Sequence, residues 1–126
     1  MQLPILLAVA LGGAVGSLLR YFVAGAIQSP AATGFPWGIF IVNVSGGLVM
    51  GIVTELAALK LNIGLELRAF LTVGILGGYT TFSTFSLESA ILIQRGAYGL
   101  AAAYISGSAL LSIAALFAGL WLVRAL

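Results

Sequence analysis

Four long apolar runs alternate with short polar segments along this chain. The runs cover about residues 3–26, 37–59, 67–93 and 97–122. A transmembrane α-helix needs about 20 consecutive apolar residues, so each run predicts one membrane-spanning helix. The segments between them are short: Gln28-Ser29-Pro30, residues 60–66 and Gln94-Arg95-Gly96. The pattern predicts an all-α integral membrane protein, with a single four-helix transmembrane domain over residues 1–126.

The third apolar run is interrupted near its middle by glycines and hydroxyl residues. Residues 74–86 read Gly-Ile-Leu-Gly-Gly-Tyr-Thr-Thr-Phe-Ser-Thr-Phe-Ser. This composition predicts a helix broken at mid-membrane, near residues 77–81. Lipid tolerates irregular backbone at that depth only where it is buried in protein or faces a wet cavity. A broken helix of this kind is typical of proteins that move ions or small solutes.

Composition supports the membrane assignment and excludes several functions. The 126 residues are 62% hydrophobic and 6% charged, with a mean hydropathy of +1.22. Cysteine and histidine are absent, which removes thiolate chemistry, imidazole bases and the usual transition-metal ligands. Four spans leave no length for a catalytic domain, so we expect no enzymatic activity. The charge balance, five basic against three acidic residues, is too slight to indicate nucleic-acid binding.

The charges encode orientation only weakly. With four spans, Lys60, Arg68 and Arg124 fall on one side of the membrane, and Arg95 and Arg20 on the other. Three against two is a small positive-inside bias, and a nearly balanced chain can insert both ways round. An antiparallel, dual-topology homodimer is therefore one interpretation, and chance in a small sample is the other. Close helix packing is indicated by three GxxxG pairs, Gly12–Gly16, Gly47–Gly51 and Gly74–Gly78.

Three polar residues lie at costly depths in the predicted spans. Arg20 and Asn43 both lie about 7–8 Å from the midplane on the same side, given a helical rise of about 1.5 Å per residue. Glu88 falls on that side too, nearer the surface. Arg20 either pairs with Glu88, snorkels to the interface, or guides ions at a pore mouth. Asn43 is either a hydrogen-bonding link between helices or part of a pore lining.

Other side chains of the third and fourth runs could serve a small anion. Tyr104, Ser108 and Ser112 recur at i, i+4 and i+8 and share one helix face, although such serines also bond back to the i−4 carbonyl. Phe82 and Phe85 follow the break; they are either lipid-facing filler or rings whose positive edges hold an anion. Carbonyls freed at the break could ring a cation such as Na⁺ at a two-fold axis, or neighbouring hydroxyls could satisfy them.

These residues together resemble a known family, the Fluc (CrcB) fluoride channels, over essentially the whole chain. The resemblance rests on three motifs: Gly12-Gly13-x-x-Gly16-x-x-x-Arg20-Tyr21, Asn43-Val44-x-Gly46-Gly47, and Gly74-x-x-Gly77-Gly78-x-Thr80-Thr81-Phe82-Ser83-Thr84-Phe85-Ser86-x-Glu88. It implies a dual-topology homodimer with two parallel fluoride pores, a central structural Na⁺, and residence in the inner (plasma) membrane of a prokaryote. It implies passive export of fluoride and resistance to it, with no other protein partner.

The resemblance also assigns roles to residues of this chain. It implies a fluoride pathway and a vestibule beside it. A structural Na⁺ would be held by the backbone carbonyls of Gly77 and Thr80. The implied pathway residues are Asn43, Phe82, Phe85, Ser83, Thr84, Tyr104, Ser108 and Ser112, with Arg20 in the vestibule.

Two other interpretations remain open at the level of sequence. A proton-coupled cation exporter of the small multidrug resistance type is also a four-helix, dual-topology dimer. Such a carrier needs a carboxylate deep in the membrane, whereas Glu55 and Glu88 fall near helix ends. A non-transporting assembly or anchor subunit would leave the broken third helix without a purpose.

Overall fold

The computed structural model describes residues 2–28 and 34–126, and every regular element in those ranges is helical. α1 covers Leu3–Ile27 and α2 covers Trp37–Leu59. The third span, Leu65–Gln94, contains α3 (Leu65–Ala69), a π-helical stretch (Phe70–Leu76), α4 (Gly77–Tyr79) and α5 (Phe82–Gln94). α6 covers Tyr98–Ala125.

Four helices are long and apolar enough to cross a membrane, as predicted. The third of them is bent, also as predicted, and the bend lies at Thr80 and Thr81. The part of the predicted first loop at Ser29 and Pro30 lies outside the described residues. The turn before α6 requires a left-handed residue, which Gly96 supplies with φ +74°.

The helices pack mainly as two pairs, and further contacts of α1 with α2 and of α5 with α6 join the pairs. α1 lies against the first half of the third span, and α2 lies against α6. Glycines bring the backbones together at both seams: a Cβ on Gly12 would lie 2.8 Å from the Cα of Gly74, and one on Gly47 would lie 2.7 Å from the Ser112 carbonyl oxygen. Such close backbone approach is how small residues stabilise helix pairs in lipid. The predicted GxxxG faces are therefore used inside the protomer.

The π-helical stretch is a feature that the sequence pattern does not predict. The Gly77 N–H bonds the Thr72 carbonyl, five residues back, as well as that of Gly74. Such wide turns are rare in helices and occur most often at functional sites. Here the stretch lies directly before the break and packs against α1 at Gly12.

Candidate functional site

One side chain from α2 forms the hydrogen bonds that stabilise the break in the third span. Thr80 and Thr81 are extended, with ψ 156° and 123°. The Asn43 amide nitrogen donates to the Thr81 carbonyl at 3.0 Å, and the Thr81 N–H donates to the Asn43 amide oxygen at 2.8 Å. One amide thus satisfies both backbone groups of the residue that leaves the helix. Without it, two polar groups would be unpaired inside the membrane, where each is costly.

Thr81 also starts the next helix. Its hydroxyl oxygen accepts a hydrogen bond from the Thr84 N–H at 3.1 Å and donates to the Thr84 hydroxyl at 3.2 Å. The Ser83 hydroxyl lies 3.3 Å from the same oxygen. This is an N-cap, which supplies a partner for an N–H that the first turn of α5 leaves free. Ser83 and Thr84 are therefore bound to the cap that fixes the break.

The break also frees carbonyl oxygens. In a continuous helix the Thr81 N–H would bond the Gly77 carbonyl, but here it donates to Asn43. The Thr80 carbonyl is turned out of the helix, and an Arg20 guanidinium nitrogen lies 3.5 Å from it. Each carbonyl has two lone pairs, so both Gly77 and Thr80 can accept a further partner.

A cavity of about 470 Å³ lies beside the break, and we name it the break cavity. Thirteen residues from α2, the third span and α6 line it: Asn43, Gly46, Gly47, Met50, Thr80, Thr81, Phe82, Phe85, Ser108, Ala109, Ser112, Ile113 and Leu116. It brings together most of the residues that the sequence singled out as pathway residues, and its lining carries no charged side chain. Ser83, Thr84 and Tyr104 are not part of the lining.

Two serines that line the break cavity have hydroxyl groups to which no described residue bonds. The oxygens of Ser108 and Ser112 are buried and make no hydrogen bond to any described residue. Other serines of the chain bond back to the i−4 carbonyl, as Ser106 does to Ala102 at 2.6 Å. Buried polar groups are nearly always paired, so an unpaired hydroxyl indicates a partner such as water or an ion. The two hydroxyls are one helical turn apart and could serve one solute in succession.

The two phenylalanines after the break differ in their surroundings. The Phe82 side chain is 79% exposed, whereas Phe85 is half-buried against Tyr104, with ring centroids 5.3 Å apart. Their own centroids are 5.5 Å apart. Phe85 is thus held within the protomer, whereas Phe82 projects from the edge of the break cavity.

A second cavity of about 450 Å³, the vestibule cavity, lies on the other face of α5. Its lining includes Arg20 from α1, Gln28 after α1, and Thr84 and Glu88 from α5. The Gln28 amide oxygen accepts from the Gly38 N–H at 3.2 Å and so supplies a partner at the start of α2. Arg20 thus lines a cavity that also contains the Glu88 carboxylate, and its role in a vestibule stays a prediction.

Two of the three carboxylates, Glu55 and Glu88, are held by specific partners. Glu88 accepts a hydrogen bond from the Tyr104 hydroxyl at 2.7 Å, and Glu55 forms an ion pair with Arg124. No ion pair joins Arg20 and Glu88 in the described ranges, although both line the vestibule cavity. The Tyr104 hydroxyl is therefore directed to Glu88, not along the face that carries Ser108 and Ser112.

Sequence reasoning missed the roles of two residues of this site. The sequence pattern indicates Thr81 only as part of the break. The N-cap preference for threonine just before a helix start could have identified its second role. It indicates Glu88 only as a partner for Arg20. The contact of Glu88 with Tyr104 joins residues 16 apart in different helices, and no local pattern in the sequence marks it.

A four-span membrane protein whose broken helix borders a cavity lined by neutral hydrogen-bond donors belongs to the class of small membrane transport proteins. Comparison with known proteins defines the family within that class. The chain belongs to the family described as CrcB-like protein, Camphor Resistance (CrcB), which matches residues 7–120. The resemblance noted from the sequence is confirmed.

Curated bacterial relatives agree along nearly the whole chain. The protein is 51% identical over 116 residues to the fluoride-specific ion channel FluC of Agrobacterium fabrum, a match covering 92% of this chain and 93% of the relative. It is 51% identical over 120 residues to that of Rhodopseudomonas palustris, covering 95% and 97%. It is 48% identical over 122 residues to that of Rhodospirillum centenum, covering 97% of each. The similarity is therefore not confined to one motif.

Proposed function

We propose that this protein is a fluoride-selective passive channel that exports cytoplasmic fluoride and confers resistance to it. The observation that carries the proposal is that Ser108 and Ser112, which line the break cavity together with Asn43, have buried hydroxyls with no hydrogen-bond partner among the described residues. The named relatives, each a fluoride-specific ion channel, support fluoride as the ion.

The chemistry of the cavity suits a small, strongly hydrated anion. Hydroxyl and amide donors can replace the water that fluoride loses, and ring edges add a weaker attraction without a full positive charge. The lining has no lysine or arginine, so the anion can also be released, which conduction requires. A passive pore is sufficient for export, because HF enters cells uncharged and dissociates, and an inside-negative potential then drives the anion out.

The functional unit that we propose is an antiparallel homodimer with two pores, in the inner membrane of a prokaryote. Phe82 is exposed at the edge of the break cavity, so a second protomer could supply the wall that one protomer lacks there. Each pore would then combine Phe82 of one protomer with Phe85 of the other. The relatives come from bacteria, which supports the proposed location in a prokaryotic inner membrane.

We also propose a structural Na⁺ at the two-fold axis, held by Gly77 and Thr80 carbonyls. The fit is favourable in two respects: the Gly77 carbonyl has lost its helical partner to Asn43, and a Cβ on Gly77 would meet only the Thr72 carbonyl, at 3.6 Å. Neutral oxygens suit a monovalent hard cation. The ion would hold the two break regions together. Arg20 lies near the Thr80 carbonyl, so its positive charge would repel the Na⁺.

The experiment that tests the function is fluoride release from liposomes that contain the purified protein. Valinomycin and a K⁺ gradient set the voltage, a fluoride electrode reports release, and chloride-loaded liposomes run in parallel. We expect fast fluoride loss and no chloride loss. If folded dimer releases neither ion, the channel proposal fails. The multidrug exporter would then be favoured if the protein carried out proton-coupled cation transport and if Glu55→Gln or Glu88→Gln abolished that transport.

We expect Phe82→Ile to lower fluoride flux roughly tenfold, because an aliphatic side chain offers no positive ring edge. Phe117→Ile is the matched control, since Phe117 is also exposed, at 64%, but lies on α6 away from both cavities. The measurement is the liposome flux, with dimer content checked by cross-linking. Equal fluxes for the two variants would remove Phe82 from the pathway.

We expect Gly77→Val to weaken dimerisation by about 2 kcal/mol, the usual penalty for overfilling a packed contact. The protomer itself has room for the new side chain, so the loss would arise at the partner. Gly99→Val is the control, because a Cβ there meets nothing within 4 Å. Dilution in detergent followed by cross-linking reports the dissociation. A Gly77→Val dimer as stable as the control would contradict both the two-fold contact and the cation site.

A further inference from the structure

A chain of aromatic rings connects the break cavity with the beginning of α2. Phe82 contacts Phe85, Phe85 contacts Tyr104 with centroids 5.3 Å apart, and Tyr104 contacts Phe35 with centroids 5.5 Å apart. The last contact is edge-to-face, at 87°. Only the first two rings line the break cavity. A residue outside the cavity can therefore act on Phe85 through a single intervening ring.

Phe35 is fixed at the far end of this chain. It precedes α2 and follows Gly34, whose φ of +88° is a left-handed conformation that glycine adopts readily. The Phe35 side chain is 9% exposed and belongs to one buried cluster with Leu92 and Ala101. Its carbonyl accepts from the Trp37 N–H at 2.9 Å. The ring is thus anchored both by the turn and by the two helices that enclose it.

Tyr104 can transmit this anchoring because its neighbours, Phe35 among them, set the position of its ring. Its side chain is fully buried, at 0% exposure, and its hydroxyl is bound to Glu88. The hydroxyl bond fixes one end of the ring, and the edge-to-face contact with Phe35 fixes its tilt. Phe85 packs on this ring at an interplanar angle of 39°. Removing the Phe35 ring would allow Tyr104 to tilt, and Phe85 would follow.

We propose that Phe35 is a positioning residue for the Phe85 ring, acting through Tyr104. The inference rests on the proposed function, since it gives Phe35 a part in fluoride conduction without contact with the ion. Apolar bulk alone does not set a ring's angle, whereas an edge-to-face pair does. A leucine at position 35 would keep the position apolar and remove the ring that sets the orientation.

The test compares Phe35→Leu with Phe35→Tyr, which restores a ring, and with the exposed control Phe117→Leu. We expect Phe35→Leu to lower fluoride flux roughly two- to tenfold, the range that one aromatic pair is worth. Phe35→Tyr and Phe117→Leu should conduct like the unmodified protein. If Phe35→Leu does not give folded dimer, Phe35→Met takes its place, because its flexible unbranched side chain adapts better to the space of the lost ring.

A second measurement does not depend on conduction. With 4-fluorophenylalanine incorporated at position 85, the ¹⁹F resonance in fluoride-free buffer reports the surroundings of that ring. We expect Phe35→Leu to shift or broaden this resonance, and Phe117→Leu to leave it unchanged. An unchanged resonance in Phe35→Leu overturns the inference, whatever the flux. Absence of fluoride flux in the unmodified protein overturns the proposed function instead, and the resonance alone then decides whether Phe35 positions Phe85.

Discussion

Asn43→Asp should lower fluoride flux about 1,000-fold, the largest effect that we expect from a single substitution. Two unit charges about 4 Å apart repel by about 4 kcal/mol at an effective dielectric constant of about 20. An added barrier of that size corresponds to about three orders of magnitude in rate. Asn43 lines the break cavity, so the new carboxylate would stand beside the proposed anion path. No basic residue in the lining could neutralise it.

The same substitution also weakens the break. A carboxylate can still accept the Thr81 N–H, but it cannot donate to the Thr81 carbonyl as the Asn43 amide does. The matched control is Asn62→Asp, the same chemical change at an exposed residue between α2 and α3. Liposome flux measures conduction, and thermal unfolding in detergent measures the second effect. Normal conductance in Asn43→Asp would place the anion path away from Asn43.

The helical plan was predictable because membrane spans are encoded by length and polarity alone. The second span was predicted at residues 37–59, and α2 covers Trp37–Leu59. The third was predicted to break near residues 77–81, and the extended residues are Thr80 and Thr81. Glycines followed by hydroxyl residues in an apolar run strongly indicate a break. The reason is that a polar, flexible segment is tolerated at that depth only where it is buried in protein or lines a wet cavity.

The contacts that build the site were not predictable in the same way, because they join residues far apart in the chain. Spacing placed Tyr104 on the face of Ser108 and Ser112, yet its hydroxyl bonds Glu88. The sequence indicated Asn43 as polar and deep, but not that its amide would bond both backbone groups of Thr81. The roles in fluoride passage given to Ser83, Thr84 and the other pathway residues stay predictions, since they depend on the ion and on a second protomer.

The double variant Ser108→Ala, Ser112→Ala should lower fluoride flux about 100-fold. A hydrogen bond to a charged group contributes about 1.5 kcal/mol or more, and each serine would donate one as the anion passes. Each loss is therefore worth roughly tenfold in rate. Single variants should lose roughly tenfold each. If the hydroxyls instead hold only water, as they could in a resting cavity, the double variant would lose little.

Ser106→Ala separates this effect from the loss of a hydroxyl in general. Ser106 lies two residues before Ser108 in α6, but it is exposed and its hydroxyl bonds the Ala102 carbonyl. Its removal should leave flux and stability unchanged. Removing unpaired hydroxyls should not destabilise the fold either, because no hydrogen bond to a described residue is lost. Low flux with unchanged thermal stability is thus the expected signature of donors that act on the passing ion, whereas a purely structural pair would alter both measurements together.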